Sequence, residues 1–580
     1  MAVNQISPER RHELAQITAA FDNDRGRLLD ILWAAQKKAG FVTAEEIHVL
    51  AENLHCSPAD LTEVQSFYHF FRCKPSGRHQ IYLDNSVISE FAGMPEVRRA
   101  FEKELGVKVG GVSVDGSVGL FETSCIGMSD QAPAALIDLV PYPRLTPQDV
   151  PRLIQELRSG TLKPRPVESH WPLRGNFFTT NRQAGQGLTR SARVEPQAVF
   201  DMIKKSGLRG RGGAGFPTGL KWQSTAQTPG SQRYVVCNAD EGEPGTFKDR
   251  ELITQFCDLV WEGMAIAARA IGANEVIFYL RAEYFYLLKV VEQSLERMKS
   301  HAEWKGLKGR IQLGAGAYVC GEETALLESL EGKRGEPRLR PPFPVEKGYR
   351  HCPTTVNNVE TFALAAIIMA EGPEPFAAMG TEKSKGPRLL SIAGDVKKPG
   401  IFEVPWGIKL GEVLDLCQAI DPHIVQVGGP SGACVSAADR DRRICFEDLA
   451  TGGSFMVFSK SRSLFEILDN FMDFFVAESC GNCTPCRAGN IFIGDSIKKL
   501  RQGKARAGDL KKLQDWCQIV MKSSRCGLGA SSPNVVTTSL KAFPEIYKKA
   551  LREPQNPLIF DFDVATAVKK YDEAVRSSYE

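Results

Sequence analysis

Residues 207–222, GLRGRGGAGFPTGLKW, constrain this chain more than any other stretch, because six of these sixteen positions are glycine. Gly210, Gly212 and Gly215 fit the pattern G-x-G-x-x-G, with Gly213 and Ala214 inside it, Arg211 and Lys221 as nearby cations and Phe216 directly after it. Glycine at this density lets the main chain approach a ligand and turn its amides toward an anion. The cations add point charges for phosphate, and the aromatic offers a flat stacking surface. A flexible basic linker is the plain alternative, but linkers seldom exit through Phe, Leu and Trp. A Rossmann turn would follow a strand and open a helix. Here a helical pattern ending at Lys205-Ser206-Gly207 precedes the loop, and the strand-like RYVVCNA comes after it. The pattern therefore predicts a phosphate wall that is not a Rossmann turn.

Three later segments supply what the loop lacks. Asn238, Asp240, Glu241 and Glu243 crowd the end of RYVVCNADEGEPG beside the basic loop; solvated loop acids are the plain alternative. In GAGAYVCGEETALLESLEGKRG, a Gly-Ala-Gly turn and a strand-like AYVCG, with Tyr318 and Gly321, precede Glu322 and Glu323 at a helix start. A helix N-terminus favours anionic side chains and phosphate. In RLRPPFPVEKGYRHCPTTVNNVET, Arg340 and Phe343 lie in a proline-stiffened run, and the amide pair Asn357-Asn358 comes shortly before Thr361. Amides can read the carbonyl and imide edges of a flavin, and aromatics stack on nicotinamide or adenine.

Cys480, Cys483 and Cys486 form C-x2-C-x2-C, and Cys526 follows forty residues after the third. Such a run with a distant fourth thiol reads as a 4Fe–4S site. Zinc is the rival, although a tetrahedral knuckle prefers two pairs. Fifteen cysteines behind a start without a secretory core point to a reducing cytoplasm and to metal ligation in place of disulfides. With 72 basic against 69 acidic side chains, no one-sided charge suggests nucleic acid, and no apolar run suggests a membrane span.

Pattern and punctuation divide the chain into 1–163, a Pro/Gly-rich linker 164–190, 191–386, 387–460, 461–550 and a tail 551–580. The first unit begins with helices, including one with Leu28, Ile31, Leu32 and Ala35 on one face, and continues through IYLD, a helix from Pro95 and VGLFET. Short strands with one helix near 411–417 predict a β-grasp fold for 387–460, with no catalytic constellation and an expected structural or interfacial role. Its Cys417, Cys434 and Cys445 lack ligand spacing, and 461–550 is expected to be helical.

From 191 to about 544 the glycine loop, the acid cluster, GEETALL and TVNNVET resemble the NADH-binding flavoprotein subunit of complex I. The resemblance implies that Gly210, Arg211, Gly212, Gly213, Ala214 and Gly215, with Lys221, lie along FMN and the nucleotide phosphates. It implies that Asn238, Asp240, Tyr318, Gly321, Glu322, Asn357, Asn358 and Thr361 complete the FMN site. Phe216 and Phe343 would sandwich the NADH adenine, while Glu241, Glu243 and Glu323 would surround nicotinamide and ribose as the catalytic carboxylates. Arg340 replaces the lysine usual in the family, keeping charge but changing geometry.

The front unit, through SFYHFF, KPSG and ETSCIGMSDQAP, resembles the thioredoxin-like iron–sulfur partner of that flavoprotein. That family holds a 2Fe–2S cluster with a C-x4-C and a C-x3-C pair. Here LDNSVISEF has no cysteine, and only Cys125 remains of the second pair, with Ser129 opposite, so no 2Fe–2S cluster is expected and the domain reads as a retained docking module. The fusion resembles the flavoprotein (diaphorase alpha) subunits of soluble NAD-reducing nickel–iron hydrogenases. It implies a multidomain α/β chain with a thioredoxin-like domain, an FMN/NADH domain, a β-grasp domain and a helical bundle carrying one 4Fe–4S cluster. It also implies as partners a small diaphorase subunit with further iron–sulfur clusters and the hydrogenase small and large subunits. The alternatives are the diaphorase subunit of a cytosolic NAD-dependent formate dehydrogenase and a complex I flavoprotein subunit.

Overall fold

The computed structural model describes residues 6–179, 182–552 and 569, so the expected tail 551–580 lies outside the described residues apart from Leu551, Arg552 and Lys569. Helices Pro8–Ala19, Leu28–Ala39, Ala44–Asn53 and Pro58–Phe67 open the chain. Ser7, Thr43 and Ser57 each accept a first-turn amide with the side chain, which starts three of these helices where the sequence places a capping residue. A mixed sheet follows, built from β1 (His79–Asp84), β2 (Val118–Thr123), β3 (Ala135–Ile137) and β4 (Val140–Tyr142) in the order β2-β1-β3-β4. Alternation along β1 gives it two buried faces. Ile81 and Leu83 pack with Val97, Phe101 and Ile154, whereas Tyr82 packs with Phe70, Phe121 and Ala282 of the next unit. The helix expected from Pro95 starts at Met94, with Pro95 in the first turn, where its missing N–H breaks no helical bond.

The second unit centres on four parallel strands, β5 (Tyr234–Ala239), β6 (Glu275–Leu280), β7 (Lys308–Leu313) and β8 (Thr354–Asn358), in the order β7-β6-β5-β8. The long helix Lys248–Ile271 and the apolar helix Val359–Glu371 pack against each other, and their buried faces join a core that also takes in the front helices and the C-terminal helices. One expectation fails here. AYVCG forms no strand; Tyr318–Gly321 is a 3-10 turn. The preceding Ala315 and Gly316 carbonyls accept from Phe70 and His69 of the front unit, and Asn238 Nδ2 donates to the Gly321 carbonyl, so this backbone finds partners without a neighbouring strand.

The third unit is a five-stranded sheet of β9 (Pro387–Gly394), β10 (Gly400–Pro405), β11 (Pro422–Val427), β12 (Ala433–Ser436) and β13 (Ser454–Ser459), ordered β10-β9-β13-β11-β12. β9 and β13 run parallel and the other pairs antiparallel, with the single helix Leu410–Leu416 packed into its separate core. Helices Leu464–Glu478, Thr484–Arg501, Ala507–Ser523 and shorter ones up to Lys549 follow. Among the described residues no helix is long and apolar enough to cross a membrane.

Candidate functional site

From β5 the chain winds through β6 to β7 on one side, then crosses back to place β8 on the other. In such sheets ligands bind beyond the carboxyl ends of the strands where the winding reverses. Asn238 and Asp240 mark that end of β5, and Asn357 and Asn358 that of β8. The glycine loop arrives at the same crevice as a closed hairpin: Gly210 N donates to Phe216 O and Thr218 N to Leu208 O, both at 2.9 Å. Its tip, Gly212, Gly213 and Ala214, is exposed. A Cβ on Gly213 would meet nothing within 4 Å, and one on Gly212 only Asn358, so side chains here would fill the open face over the tip. Gly213 at φ +123° and Gly215 at φ +65° also need conformations that favour glycine.

Several residues expected at the ligand serve beneath it. Arg211 is 1% exposed: its guanidinium turns into the core, donates to Lys385 O at 2.8 Å and lies over Phe376 and Trp406. Burial lowers its pKa to about 9. Thr361 is also buried and accepts from Arg211 N at 2.9 Å, anchoring the loop. Asn357 accepts from Trp222 Nε1 at 2.9 Å, and Asn358 caps the helix that follows it while donating to Asp249 at 2.6 Å. Asn358 is therefore held at both ends of its amide, whereas, among the described residues, Asn357 is engaged only through Oδ1. The Glu241 carboxylate is likewise engaged within the protein: it accepts from Asp249 N, Arg250 N and Tyr284 OH at 2.9, 3.2 and 2.9 Å, capping the helix Lys248–Ile271. Burial, with the Asp249 charge, pushes it up to about 7.

Other expected residues do line the crevice. Lys221 Nζ meets Glu323 at 2.8 Å, and Arg340 reaches Glu322 and Glu323 at 3.6 and 3.7 Å. Phe216 and Phe343 are 52% and 46% exposed, an unfavourable state for two phenyl rings unless a flat ligand covers them. Tyr318 OH donates to Glu243 Oε2 at 2.5 Å, and burial raises the Glu243 carboxyl above its ordinary range. Glu322 caps the helix Glu323–Leu330 with Oε2, leaving Oε1 buried without a hydrogen-bond donor. Asp240 Oδ2 is likewise buried without a partner beside Gly321, and burial drives this carboxyl well above its ordinary range. An open amide cradle with two orphan carboxyl oxygens fits a ligand bearing both phosphate and hydroxyls, as FMN does.

The four cysteines converge on one small cavity with Val319, Pro337, Ser479 and Leu528. Cys483 precedes the first residue of the helix Thr484–Arg501 and Cys486 lies in its first turn, so the positive end of that dipole faces the sulfurs. Cys486 Sγ lies 3.4 Å from both Ser479 Oγ and Asn490 Nδ2, and burial pushes its thiol up to about 11. Among the described residues no three Cys, His, Asp or Glu side chains converge on one ion. Four thiols around a volume suit a cubane, in which each iron takes one cysteine, better than mononuclear zinc. Gly481 and Gly527 leave open space where side chains would stand, and Arg487 donates to Gly481 O at 2.6 Å. The residues fit the cluster.

Tyr318 and its neighbour Val319 face the two sites from one turn: Tyr318 reaches Glu243, and Val319 lines the cysteine cavity. Glu478, which the sequence reading missed, fixes that turn. It accepts from Tyr318 N at 2.9 Å and from Ser124 Oγ of the front unit at 3.0 Å. The sequence reading also missed a buried network beneath the glycine loop. Lys248 pairs with Asp249 and Glu360 at 2.5 and 3.2 Å, and Arg388 joins Glu360 at 3.1 Å and the Arg211 carbonyl at 3.0 Å. The β-grasp unit thus enters the site. Ser431 N donates to Glu243 at 2.9 Å, Phe446 fills the space beside Gly215, and Gly452 lies against Gly212 and Gly213. The glycine clusters GGPSG and TGGS were the available signal.

In the front unit Cys125 is 1% exposed, with Ser129 Oγ at 3.5 Å. Asp84, pushed by burial up to about 6, is near enough to raise the Cys125 thiol further.

Family models match three parts of the chain: the thioredoxin-like 2Fe–2S ferredoxin at 14–158, the Nuo51 FMN-binding domain at 203–366 and the NADH-ubiquinone oxidoreductase-F iron–sulfur binding region at 466–550. The chain is 46% identical to the NAD-reducing hydrogenase HoxS subunit alpha of Cupriavidus necator, over 98% of its own length and 99% of that relative's. It is 40% identical to an NADH-quinone oxidoreductase subunit of Aquifex aeolicus, over 63% of this chain and 88% of that one. A crystal structure of an NAD+-reducing NiFe-hydrogenase in the H2-reduced state contains a chain that superposes with a TM-score of 0.88 at 36% identity, covering 95% of this chain and 97% of that chain.

Proposed function

The chain belongs to the family of NAD-reducing hydrogenase alpha subunits, and from that membership we propose that it is the diaphorase subunit of a cytoplasmic NAD-reducing nickel–iron hydrogenase. In that reading it exchanges a hydride between NAD(H) and FMN and relays single electrons through one 4Fe–4S cluster, within the overall reaction H2 + NAD+ = NADH + H+. The observation that carries the reading is the turn at Tyr318 and Val319, one residue of which reaches the nucleotide crevice while the next lines the cysteine cavity. Bound FMN would supply the step between two-electron and one-electron chemistry.

The protein's own contribution is placement and charge. Exposed amides of the glycine tip with Lys221 hold phosphate, while Asp240 and Glu322 meet hydroxyls through oxygens that make no hydrogen bond with the described residues. Phe216 and Phe343 cover the adenine faces. Glu243 and Glu323 flank the nicotinamide side, and Glu323 is already engaged by Lys221 at 2.8 Å. Glu323→Gln is expected to slow NADH release, and an unchanged release rate would remove that role. Cys480, Cys483, Cys486 and Cys526 hold the cluster, and the front domain holds none. A small diaphorase subunit with further clusters and the hydrogenase small and large subunits would complete the path. The boundaries 1–163, 191–386, 387–460 and 461–550 serve as working domain limits.

The test is whether hydrogen reduces NAD+ when the complex containing this chain is purified under anaerobic conditions. NAD+ reduction by formate, with none by hydrogen, would overturn the assignment of the partner while leaving the diaphorase chemistry intact.

A further inference from the structure

A front domain with one cysteine left at its former cluster site is buried against the flavin unit more deeply than simple docking requires. Arg281 Nη2 donates to Cys125 O at 2.9 Å, and its Nη1 donates to the main-chain carbonyl of Glu241. Arg250 donates to Gly127 O at 2.6 Å and grips both oxygens of Asp130 at 2.9 Å. The amide of the same Arg250 is one of those that the Glu241 carboxylate caps. Tyr284 OH occupies the space that a Cβ on Gly127 would need, and it donates to Glu241 at 2.9 Å. Three separate contacts with the loop 125–130 therefore run, through one residue each, to Glu241.

Every residue in these links is nearly inaccessible: Asp130 is 6% exposed, Arg250 1%, Arg281 3% and Tyr284 none. Burial works to raise the Asp130 carboxyl, yet Arg250 and His170 hold it down at about 2, so the ion pair stays charged in the core. A buried bidentate pair is intolerant of altered geometry. Glu241 in turn lies two residues before Glu243, whose carboxylate meets Tyr318 and Ser431 at the crevice. An interface that served stability alone would have no reason to converge on this one acidic segment.

We propose that the loop 125–130 of the front domain is a positioning element of the nucleotide site, holding the segment 240–243 in register through Arg250, Arg281 and Tyr284. This rests on the diaphorase reading above. The loop that carries a cluster ligand pair in the resembling family has become a strut, with its carbonyls and one carboxylate spent on two arginines of the flavin unit. Asp130 touches neither nucleotide nor flavin in this arrangement; it acts through Arg250.

The test uses the whole complex with Asp130→Asn, Asp130→Glu and Tyr284→Phe, assayed for FMN and iron content and for NADH oxidation with an artificial acceptor. Asp130→Asn is expected to keep FMN and iron but to raise the KM for NADH about tenfold with little change in kcat, because the acid segment shifts under a bound nucleotide. Asp130→Glu should recover part of that loss. Tyr284→Phe removes one hydroxyl without altering packing and should raise KM about threefold, which keeps the test open if Asp130→Asn fails to assemble. An unchanged KM in these variants, or a loss that tracks FMN content alone, overturns the proposal. A wild-type complex that does not oxidise NADH would instead overturn the diaphorase reading on which it depends.

Discussion

The pocket around Cys125 and the pocket around Cys480, Cys483, Cys486 and Cys526 begin from similar materials: sulfur, serine and a short helix or turn within a few residues. They differ in donors, room and local field. In the front pocket Cys125 and Asp84 are essentially buried. Two arginines take up the Cys125 and Gly127 carbonyls nearby. In the rear pocket three of the four cysteines are only partly buried, the flanking glycines leave space, and a long helix presents its positive end. Thiols alone do not make a cluster site; they need company of the same softness, a cavity and a compensating field. On the proposal above, the front loop 125–130 acts as a joint between the two units.

The strongest way to break this contrast is to remove a rear ligand. Cys526→Ser is expected to lower iron from about four atoms per chain toward none and to abolish the cluster signal. In the complex, hydrogen-driven NAD+ reduction should fall by at least about a hundredfold, because a sole one-electron exit is removed. NADH binding and flavin reduction should persist, since Cys526 approaches the crevice only across the Val319 turn. Iron analysis and electron paramagnetic resonance on the same sample would decide. A retained normal cluster would refute Cys526 as a ligand.

The same contrast explains what could be read before the fold was known. The rear pocket was legible because three of its ligands sit within seven residues, and their spacing survives whatever the rest of the chain does. The β-grasp sheet and the helical C-terminal unit were legible from local pattern as well, whereas the α/β character of 191–386 came from the resemblance. The burial of the Arg211 guanidinium was not legible because its partners lie far along the chain: Lys385 takes the side chain, and Thr361 and Arg388 hold its backbone. The capping role of Glu241 was hidden for a related reason: six residues separate it from the helix start Lys248, and only the folded turn shows that its carboxylate caps that helix. AYVCG carries β-forming residues, yet its partners are the Asn238 amide and the Glu478 carboxylate, with the front-domain backbone holding Ala315 and Gly316 just before it, and periodicity reveals none of these. The role of the β-grasp loops and of Glu478 depends on packing between units and has no local signature.

A smaller effect tests whether the front pocket has become a polar remnant. Asp84 is fully buried, and burial moves its carboxyl from 3.8 to about 6. An acid whose pKa rises on folding binds more protons in the native state, so its ionisation subtracts stability as pH rises. The subtraction is absent below about pH 4, grows through pH 6 and is complete above pH 7. The gap is worth at most about 3 kcal/mol, and relaxation of the site will reduce it. Asp84→Asn is therefore expected to stabilise the protein by about 1–3 kcal/mol at pH 8 and by almost nothing at pH 4, read from urea midpoints at the two values. Equal effects at both pH values would show that Asp84 is not the titrating group.

The smallest expected effect is the most direct test of the front pocket. Cys125 Sγ lies 3.5 Å from Ser129 Oγ, with the Gly245 and Gly127 amides also close, and burial with the nearby Asp84 charge raises the thiol above its ordinary value. Cys125→Ser is nearly isosteric and places a hydroxyl where Ser129 can partner it, so a stability loss of about 1 kcal/mol or less is expected. Iron content should be unchanged, at about four atoms per chain in both proteins. If the wild-type protein instead holds about six irons and Cys125→Ser about four, the front pocket carries a 2Fe–2S cluster with mixed ligands. Asp84 and the serines would then have to be recast as donors, and the two pockets would differ in degree where they now differ in kind.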